Sequence, residues 1–388
     1  MMEGILDFFE PTDIDFIPSE NGVRKMGDSI RIHSRNSMPS PIGTRIAIIG
    51  VKEERGTPDN EGCENGADAV RKYFYELTDI DTPLEIIDLG NILAGDRIAD
   101  TYAALRTTCR ELIAGNVIPV IIGGGHDLTY GNYAAYESLE QTVNLVTVDS
   151  RLDFGGDPNH MMADNFLNQI VMHQPNYLFN YSNIGHQRYL TDKDVVDLMD
   201  KMFFDLHRLG EVNGKISDAE PVLRNADIVS IDMSAIRGSD SPGSAGAGPN
   251  GFYAEDMCQL CRYAGMSDKL TSFGIYEYNP FMDPRGFSAH LVAQMIWHFI
   301  EGVTLRKGDY PIANKETYVR YIVPMSDHEL VFYKSPLTDR WWMDVPYVSG
   351  SSTKYQRHHL VPCTYEDYQS ATNEEMPDRW WKTFQKLG

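Results

Sequence analysis

Short apolar runs alternate with longer amphipathic segments along most of this chain, and this alternation constrains the fold more than any other feature. The segments between the runs, such as 191–210, have helical periodicity, and Gly210 is the predicted cap of that helix. Strands that are apolar throughout and separated by helices predict an α/β fold with a mostly parallel sheet covered by helices on both faces. The predicted strands are RIAIIGV (45–51), LEIIDL (84–89), VIPVII (117–122), VNLVTVD (143–149), DIVSID (227–232) and LTSFGIYE (270–277).

The two ends of the chain differ in composition from this central region. Residues 1–44 are rich in Ser, Pro, Asn and Gly and have no clear period, which predicts an N-terminal arm. Residues 306–388 contain short aromatic stretches that resemble strands, and their tryptophans offer large apolar area. We therefore expect a central domain at 45–305 and a C-terminal extension that packs on it.

The charge of the chain excludes several classes of partner. Its 388 residues include 34 basic and 56 acidic side chains, which give a formal net charge of −22. Nucleic acids and anionic membranes require a positive face, so neither is an expected partner. The N-terminus lacks a signal-peptide pattern, and no apolar run approaches the ~20 residues of a membrane span. The five cysteines are too few and odd in number for a disulfide scaffold, which favours a reducing compartment. Together these features predict a cytoplasmic protein.

Three local patterns favour structural over functional interpretations. Cys258 and Cys261 form a lone C-x-x-C without a second pair or a thioredoxin-like context, so we expect two helix-packed thiols. Residues 243–251 contain a formal G-x-G-x-x-G that does not directly follow a strand, which favours a flexible surface loop. His358 and His359 lie in a polar stretch and are expected in a solvated loop.

Polar residues follow four of the predicted strands at their carboxyl ends. His126 follows three glycines, Asp149 and Asp153 follow the next strand, and Asp232 and Glu277 end two later strands. Because such ends meet at one edge of a parallel sheet, we expect these side chains in one crevice. Any one of them could instead be a helix cap or part of a tight connection. Together they favour a cation site, and one His with three Asp suits Mn²⁺ or a similar metal.

These motifs resemble those of the ureohydrolase superfamily, which comprises arginases, agmatinases and formimidoylglutamases. The family patterns G-G-[DG]-H, D-A-H-x-D, S-x-D-x-D-x-x-D-P and E-x-N-P correspond to GGGH (123–126), DSRLD (149–153), SIDMSAIRG (230–238) and EYNP (277–280). The similarity covers about residues 45–305, and GGGH is nearer to formimidoylglutamases than to arginases. The resemblance implies a three-layer arginase-like fold, a homo-oligomer, and hydrolysis of a C–N bond in a linear amidine or guanidine.

The resemblance also implies roles for individual residues. Family members bind two Mn²⁺ ions through six residues, two of which bridge the ions. His126 and Asp153 match the ligands private to the first metal, and Asp149 and Asp232 match the bridging carboxylates. Glu277 matches the carboxylate that engages the cationic nitrogen of the substrate. Asp149 and Glu277 are therefore the expected catalytic positions.

The positions of the second metal depart from the family pattern. Arg151 and Ser234 stand where its two private ligands are expected, and Arg237 replaces the Asp of the D-P pair. The fixed charge of Arg151 could balance the crevice in place of one dication, with its guanidinium within hydrogen-bond reach of Asp149 or Asp232. We therefore expect one Mn²⁺ at most, or none. One hypothesis is a hydrolase with altered or weak activity on a small amidine or guanidine. The other is a catalytically inactive protein that retains the fold and acts as a binding or scaffold protein.

Overall fold

Two β-sheets organise the part of the chain that the computed structural model describes, which comprises residues 2–14, 22–157, 159–312, 314–325, 328–347 and 355–387. The central sheet contains β1 (Phe9–Glu10), β2 (Arg31–Ile32), β3 (Ile46–Lys52), β4 (Ile86–Leu93), β5 (Ile118–Ile122), β6 (Val143–Val148), β7 (Leu178–His186), β8 (Asp205–Arg208), β9 (Ile228–Asp232) and β10 (Ser272–Tyr276). Their order across the sheet is β1-β4-β3-β5-β10-β9-β6-β7-β8, with β2 also beside β4. Every pair except β1 and β4 is parallel, which confirms the predicted sheet.

Helices cover both faces of this sheet. Alternate residues of β3 show the two faces. Ile46 and Ile48 pack with helical residues of 66–74, 254–265 and 287–304, whereas Ala47 and Ile49 pack with helical residues of 98–114, 128–134 and 167–172. Apolar packing on both faces confirms the predicted three-layer α/β arrangement. The helices are α1 (Met26–Ser29), α2 (Gly66–Phe74), α3 (Ile98–Ala114), α4 (Leu128–Ala134), α5 (Leu167–Met172), α6 (Lys193–Lys201), α7 (Leu209–Val212), α8 (Glu220–Arg224), α9 (Ala254–Gly265) and α10 (Phe287–Thr304).

The segment 191–210 is not the single helix that its periodicity predicts. α6 ends at Lys201, and Phe203 then takes a left-handed backbone conformation with φ of 59°. The next residues form β8, which pairs with β7. Gly210 lies inside α7, so the prediction of a cap there is wrong. Pairing with a neighbouring strand overrides the local helical pattern.

Part of the predicted N-terminal arm belongs to the central sheet. β1 pairs antiparallel with β4, and β2 pairs in parallel with the same strand. Their register places Phe9 opposite Ile92 and Arg31 opposite Ile87. The domain boundary at residue 45 stays a prediction.

The C-terminal segment forms the second sheet and the last two helices. Its strands are antiparallel, and their order across the sheet follows their order in the chain. Arg224 at the end of α8 donates to the carbonyl oxygens of Trp341 and Cys363, both at 3.1 Å, and its guanidinium lies 4.6 Å from the ring centroid of Trp342. These contacts join the second sheet to the helical layer of the first. The elements are β11 (Val319–Pro324), β12 (Glu329–Lys334), β13 (Trp341–Asp344), β14 (Leu360–Cys363), α11 (Tyr365–Thr372) and α12 (Asp378–Leu387).

Both histidines of the predicted solvated loop are buried, so that prediction is wrong. His358 is 2% exposed and His359 is 7% exposed. The ring of His358 stacks on Phe179 of β7 with centroids 4.0 Å apart, and its Nε2 lies 3.0 Å from Oγ1 of Thr142. Packing of the C-terminal segment on the central sheet removes these rings from water.

The remaining local patterns concern thiols and membrane spans. Cys258 and Cys261 are free, buried thiols in α9, as predicted. Among the helices of the described residues, none combines the length and the apolarity that a membrane crossing requires.

Candidate metal centre

Four buried side chains converge at the carboxyl ends of β5, β6 and β9. Each of His126, Asp149, Asp153 and Asp232 offers one ligand atom, and these atoms all lie within 4.8 Å of one another. Nδ1 of His126 is 2.9 Å from Oδ2 of Asp153, 3.5 Å from Oδ2 of Asp149 and 3.4 Å from Oδ2 of Asp232. The structure therefore brings together all four residues that the sequence selects as metal ligands.

Glycines allow His126 to reach this position. A Cβ atom on Gly124 would lie 1.9 Å from the backbone oxygen of Glu53, and one on Gly125 would lie 2.2 Å from Oδ1 of Asp127. Any side chain at these two positions would push the turn after β5 away from its neighbours. The glycines of GGGH are thus required for the close approach that directs the imidazole inward.

A hydrogen-bond chain fixes the orientation of the imidazole. Nε2 of His126 lies 2.8 Å from Oγ of Ser230, which lies 2.6 Å from Oγ1 of Thr129. An Nε2–H that donates to Ser230 leaves the Nδ1 lone pair directed at the carboxylates. Metal-ligating histidines are commonly held by this kind of outer hydrogen bond.

Asp232 caps the turn that follows β9 through one carboxylate oxygen and faces the metal-ligand cluster with the other. Its Oδ1 accepts a hydrogen bond from the backbone N–H of Ser234 at 2.6 Å, which is a capping interaction. Its other oxygen remains directed at His126. Asp149 is held similarly, since its Oδ1 accepts from the backbone N–H of Arg151 at 2.8 Å. Capping and metal binding are therefore compatible at these strand ends.

Glu277 lies beside this cluster and is held by three donors. Its Oε1 accepts from the backbone N–H of His126 at 2.7 Å, and its Oε2 accepts from Nδ2 of Asn60 at 2.7 Å and from Oγ1 of Thr57 at 3.0 Å. Glu277 has a φ of 65°, which is uncommon outside glycine. Burial and then the charge of Asp232 raise the pKa of Glu277 to about 8.

The cluster lacks the positive charge that its carboxylates require. Burial alone lowers the pKa of His126, but hydrogen bonds with the three Asp residues raise it well above its usual value. Burial and the charge of Asp149 raise the pKa of Asp153. Both pKa shifts favour the binding of positive charge in the site. One imidazole with three carboxylates is a donor set that suits a hard divalent ion such as Mn²⁺.

Comparison with known proteins identifies the family. The sequence model of the arginase family matches residues 44–301. The chain belongs to the arginase family. It is 27% identical to a formimidoylglutamase of Staphylococcus aureus (strain JH9) over 279 residues, which are 69% of this chain and 88% of that protein.

Solved structures of arginase-family relatives have the same fold. Formiminoglutamase of Trypanosoma cruzi, solved with Mn²⁺, superposes with a TM-score of 0.66 at 19% identity and covers 74% of this chain and 100% of its own. Formimidoylglutamase of Bacillus subtilis superposes with a TM-score of 0.66 at 18% identity and covers 77% of this chain and 98% of its own. The predicted resemblance to the ureohydrolase superfamily is confirmed.

The two residues assigned to second-metal positions from the sequence, Ser234 and Arg151, have different surroundings in this arginase-family chain. Oγ of Ser234 lies 2.9 Å from Oγ of Ser150 and 3.3 Å from Oδ1 of Asp149. Arg151 is exposed, and among the described residues no carboxylate pairs with its guanidinium. The expected contact of this guanidinium with Asp149 or Asp232 is therefore not formed. Burying a guanidinium in the cleft would remove its hydration, which the exposed position retains.

The cleft of the arginase-family site is small and acidic. Its volume is about 210 Å³, and six carboxylates line it against one arginine. Ser244, Ala245 and Gly246 form part of its wall, so the glycine-rich stretch predicted as a surface loop borders the cleft. Sequence reasoning missed Thr57 and Asn60, which also line it. The lining residues are Thr57, Asp59, Asn60, Asp149, Arg151, Asp153, Ala163, Asp164, Asp232, Ser234, Ser244, Ala245, Gly246 and Glu277.

Proposed function

We propose that this protein is a formimidoylglutamase-like hydrolase that cleaves a C–N bond of a linear amidine or guanidine and holds at most one Mn²⁺. The convergence of His126 with three Asp residues beside Glu277 carries the proposal. The S. aureus relative, named a formimidoylglutamase, supports the substrate class. The T. cruzi relative, solved with Mn²⁺, supports the choice of metal.

Nδ1 of His126 and one oxygen from each Asp of the cluster would hold the ion. A divalent ion in such a site supplies Lewis-acid polarisation and a more acidic water. The contribution of the chain is to hold each group in place. Ser230 and Thr129 orient the imidazole, while Asn60 and Thr57 orient the carboxylate of Glu277.

The charges of the cleft determine how a substrate would bind. An amidinium or guanidinium group is cationic, and ionised Glu277 can accept two of its N–H donors, as carboxylates do from planar cations. The excess of carboxylates in the cleft favours the same orientation, with the cationic end innermost. Arg151, at the exposed edge of the cleft, is placed to contact an anionic opposite end. In this proposal the positive charge of Arg151 partly offsets the carboxylates of the cleft, and Arg151 does not replace any of the four metal-ligating side chains.

One observation favours the second candidate, a catalytically inactive binding or scaffold protein. Ser234 is engaged with Ser150, and Arg151 is turned to solvent, so neither offers a metal ligand. With two metals, sites of this type both generate the nucleophile and stabilise the charge that follows. A chain reduced to one ion or none would retain the cleft but lose much of this chemistry.

Metal content and product release distinguish the two candidates. We would load the full chain with Mn²⁺, remove excess ion by gel filtration, count bound Mn²⁺ by mass spectrometry, and assay formamide or urea release from formimidoylglutamate and agmatine. The proposed hydrolase is expected to hold about one ion per chain and to lose both ion and product release in Asp149→Asn. Asp164→Asn is the matched control, because Asp164 lines the same cleft but is exposed and outside the cluster. Metal-free protein without product release would establish the second candidate, and two ions per chain would contradict the proposed metal count.

A further inference from the structure

A second, larger cavity lies at the carboxyl ends of β7 and β8. Its volume is about 560 Å³, and it shares no lining residue with the cleft of the metal centre. The end of β7, the start of α7 and residues 249–251 form its walls. An adjoining hollow of about 460 Å³ shares four of its residues, so the open space continues beyond this cavity.

The side chains that line this cavity are net basic, whereas the chain as a whole is acidic. Three arginines line it against one carboxylate, although the chain has a net charge of −22. Arg208 pairs with Glu211 at 2.6 Å, and Arg237 pairs with Asp240 at 2.9 Å. Among the described residues, Arg188 has no carboxylate partner and its guanidinium makes no hydrogen bond. Arg188 is thus an unneutralised cation at a concave surface.

One ring nitrogen of a buried histidine in the same wall lacks a partner. His186 is 3% exposed, and its Nδ1 has no hydrogen-bond partner in the described part of the chain. This nitrogen has almost no accessible surface, so it is enclosed by the wall and is not open to the cavity. Burial also lowers the pKa of His186, which favours a neutral ring. This ring therefore forms an uncharged part of the wall.

Aromatic rings complete the lining. The guanidinium of Arg237 lies 3.6 Å from the ring centroid of Tyr253, a distance at which the ring restrains the cation. Tyr189 and Tyr253 are 70% and 42% exposed, so both rings present open surface. Large exposed aromatic side chains beside arginines are typical of surfaces that bind ligands.

We propose that this cavity binds a small molecule that carries a carboxylate or phosphate group, with Arg188 as its charge partner. Nothing in the metal centre is needed for this binding, because the two cavities have no residue in common. The proposal therefore stands or fails separately from the proposed hydrolase activity.

Calorimetric titration of the full chain with inorganic phosphate, and separately with glutarate, tests the proposal and distinguishes the two anions. At least one probe is expected to bind saturably with one site per chain. Arg188→Glu should weaken that binding by about tenfold or more, whereas Arg188→Lys should retain it within about threefold. Arg106→Glu is the matched control, because Arg106 is exposed on α3 and makes no ion pair among the described residues.

Absence of saturable binding with both probes would overturn the proposal. Equal affinities in Arg188→Glu and Arg106→Glu would overturn it as well, since the anion would then bind elsewhere.

Discussion

The backbone N–H of His126 donates a hydrogen bond to Oε1 of Glu277 at 2.7 Å, although 151 positions separate the two residues in the chain. β5 and β10 are neighbours in the central sheet, so the turns that follow them meet at one edge. This bond links the turn that carries the proposed metal-ligating imidazole to the carboxylate proposed to bind the amidinium. Displacement of either turn would misplace both groups.

Removal of the charge of Glu277 is expected to weaken amidine binding while preserving the fold. Glu277→Gln keeps the shape of the side chain and retains an acceptor oxygen, but it cannot form a charged pair with an amidinium. We expect kcat/KM for a cationic amidine, and affinity for formamidinium measured by calorimetry, to fall by about 100-fold. The melting temperature should be unchanged or slightly lower, because the amide keeps one acceptor oxygen while its NH2 group faces a hydrogen-bond donor. Equal affinities in Glu277→Gln and the parent would contradict the assigned role.

Restoration of the family ligands is expected to create the second metal site. Arg151→His with Ser234→Asp places a second imidazole and a fourth carboxylate beside Asp149. We expect bound Mn²⁺, counted by mass spectrometry, to rise by about one ion per chain relative to the parent. Arg106→His with Ser239→Asp is the matched control, since it makes the same replacements at exposed positions. A parent with two ions, or a folded double mutant that gains none, would refute the assignment of Arg151 and Ser234.

The buried Lys269 is expected to make stability depend on pH above neutrality. Lys269 is 6% exposed, and burial lowers its pKa to about 8. The unfolded lysine titrates near 10.4, so between these values the unfolded state binds more protons and stability rises with pH. Relative to Lys269→Met, the parent should gain about 2–3 kcal/mol of unfolding free energy from pH 7 to pH 10.

Urea unfolding of the parent and of Lys269→Met at pH 7, 8, 9 and 10 measures this difference. Lys72→Met, at an exposed position of α2, controls for the loss of a lysine at the surface. If the difference in unfolding free energy between the parent and Lys269→Met does not change with pH, burial does not lower the pKa of Lys269.

Loss of Arg224 is expected to loosen the C-terminal segment. Arg224→Ala would remove a charged donor from the carbonyl oxygens of Trp341 and Cys363 and a cation that packs on the ring of Trp342. A hydrogen bond to a charged group contributes about 1.5–3 kcal/mol. We expect faster limited proteolysis within the second sheet and a lower melting temperature. Arg97→Ala, which removes an exposed pair with Asp100, should have little effect. Release of a stable folded C-terminal fragment from the parent would show that the segment is an independent domain.

Topology explains why the sequence predicts the members of the candidate site. Asp149 and Asp232 each directly follow an apolar run, and parallel strands bring all such positions to one edge. The prediction needed only the identity of the strands and the polar residues at their ends. It did not need any side-chain conformation.

Side-chain environments explain what the sequence could not predict. Asn60 meets Glu277 from 217 positions away, and no local pattern marks it. Strand β7 escaped detection because it contains buried polar residues, of which Asn183 donates to Oγ1 of Thr147 and to the carbonyl oxygen of Arg151. The direction of the Arg151 side chain likewise depends on the competition between hydration and burial, which charge counting alone does not resolve.

The left-handed backbone at Glu277 means that this position stores conformational energy in the folded state. A residue other than glycine held at a φ of 65° costs about 1–3 kcal/mol relative to an extended conformation. Glu277→Gly would relieve that strain and at the same time delete the side chain that joins Thr57 and Asn60 to the turn after β5. Selection for thermal stability and selection for ligand recognition would therefore act in opposite directions on this one residue.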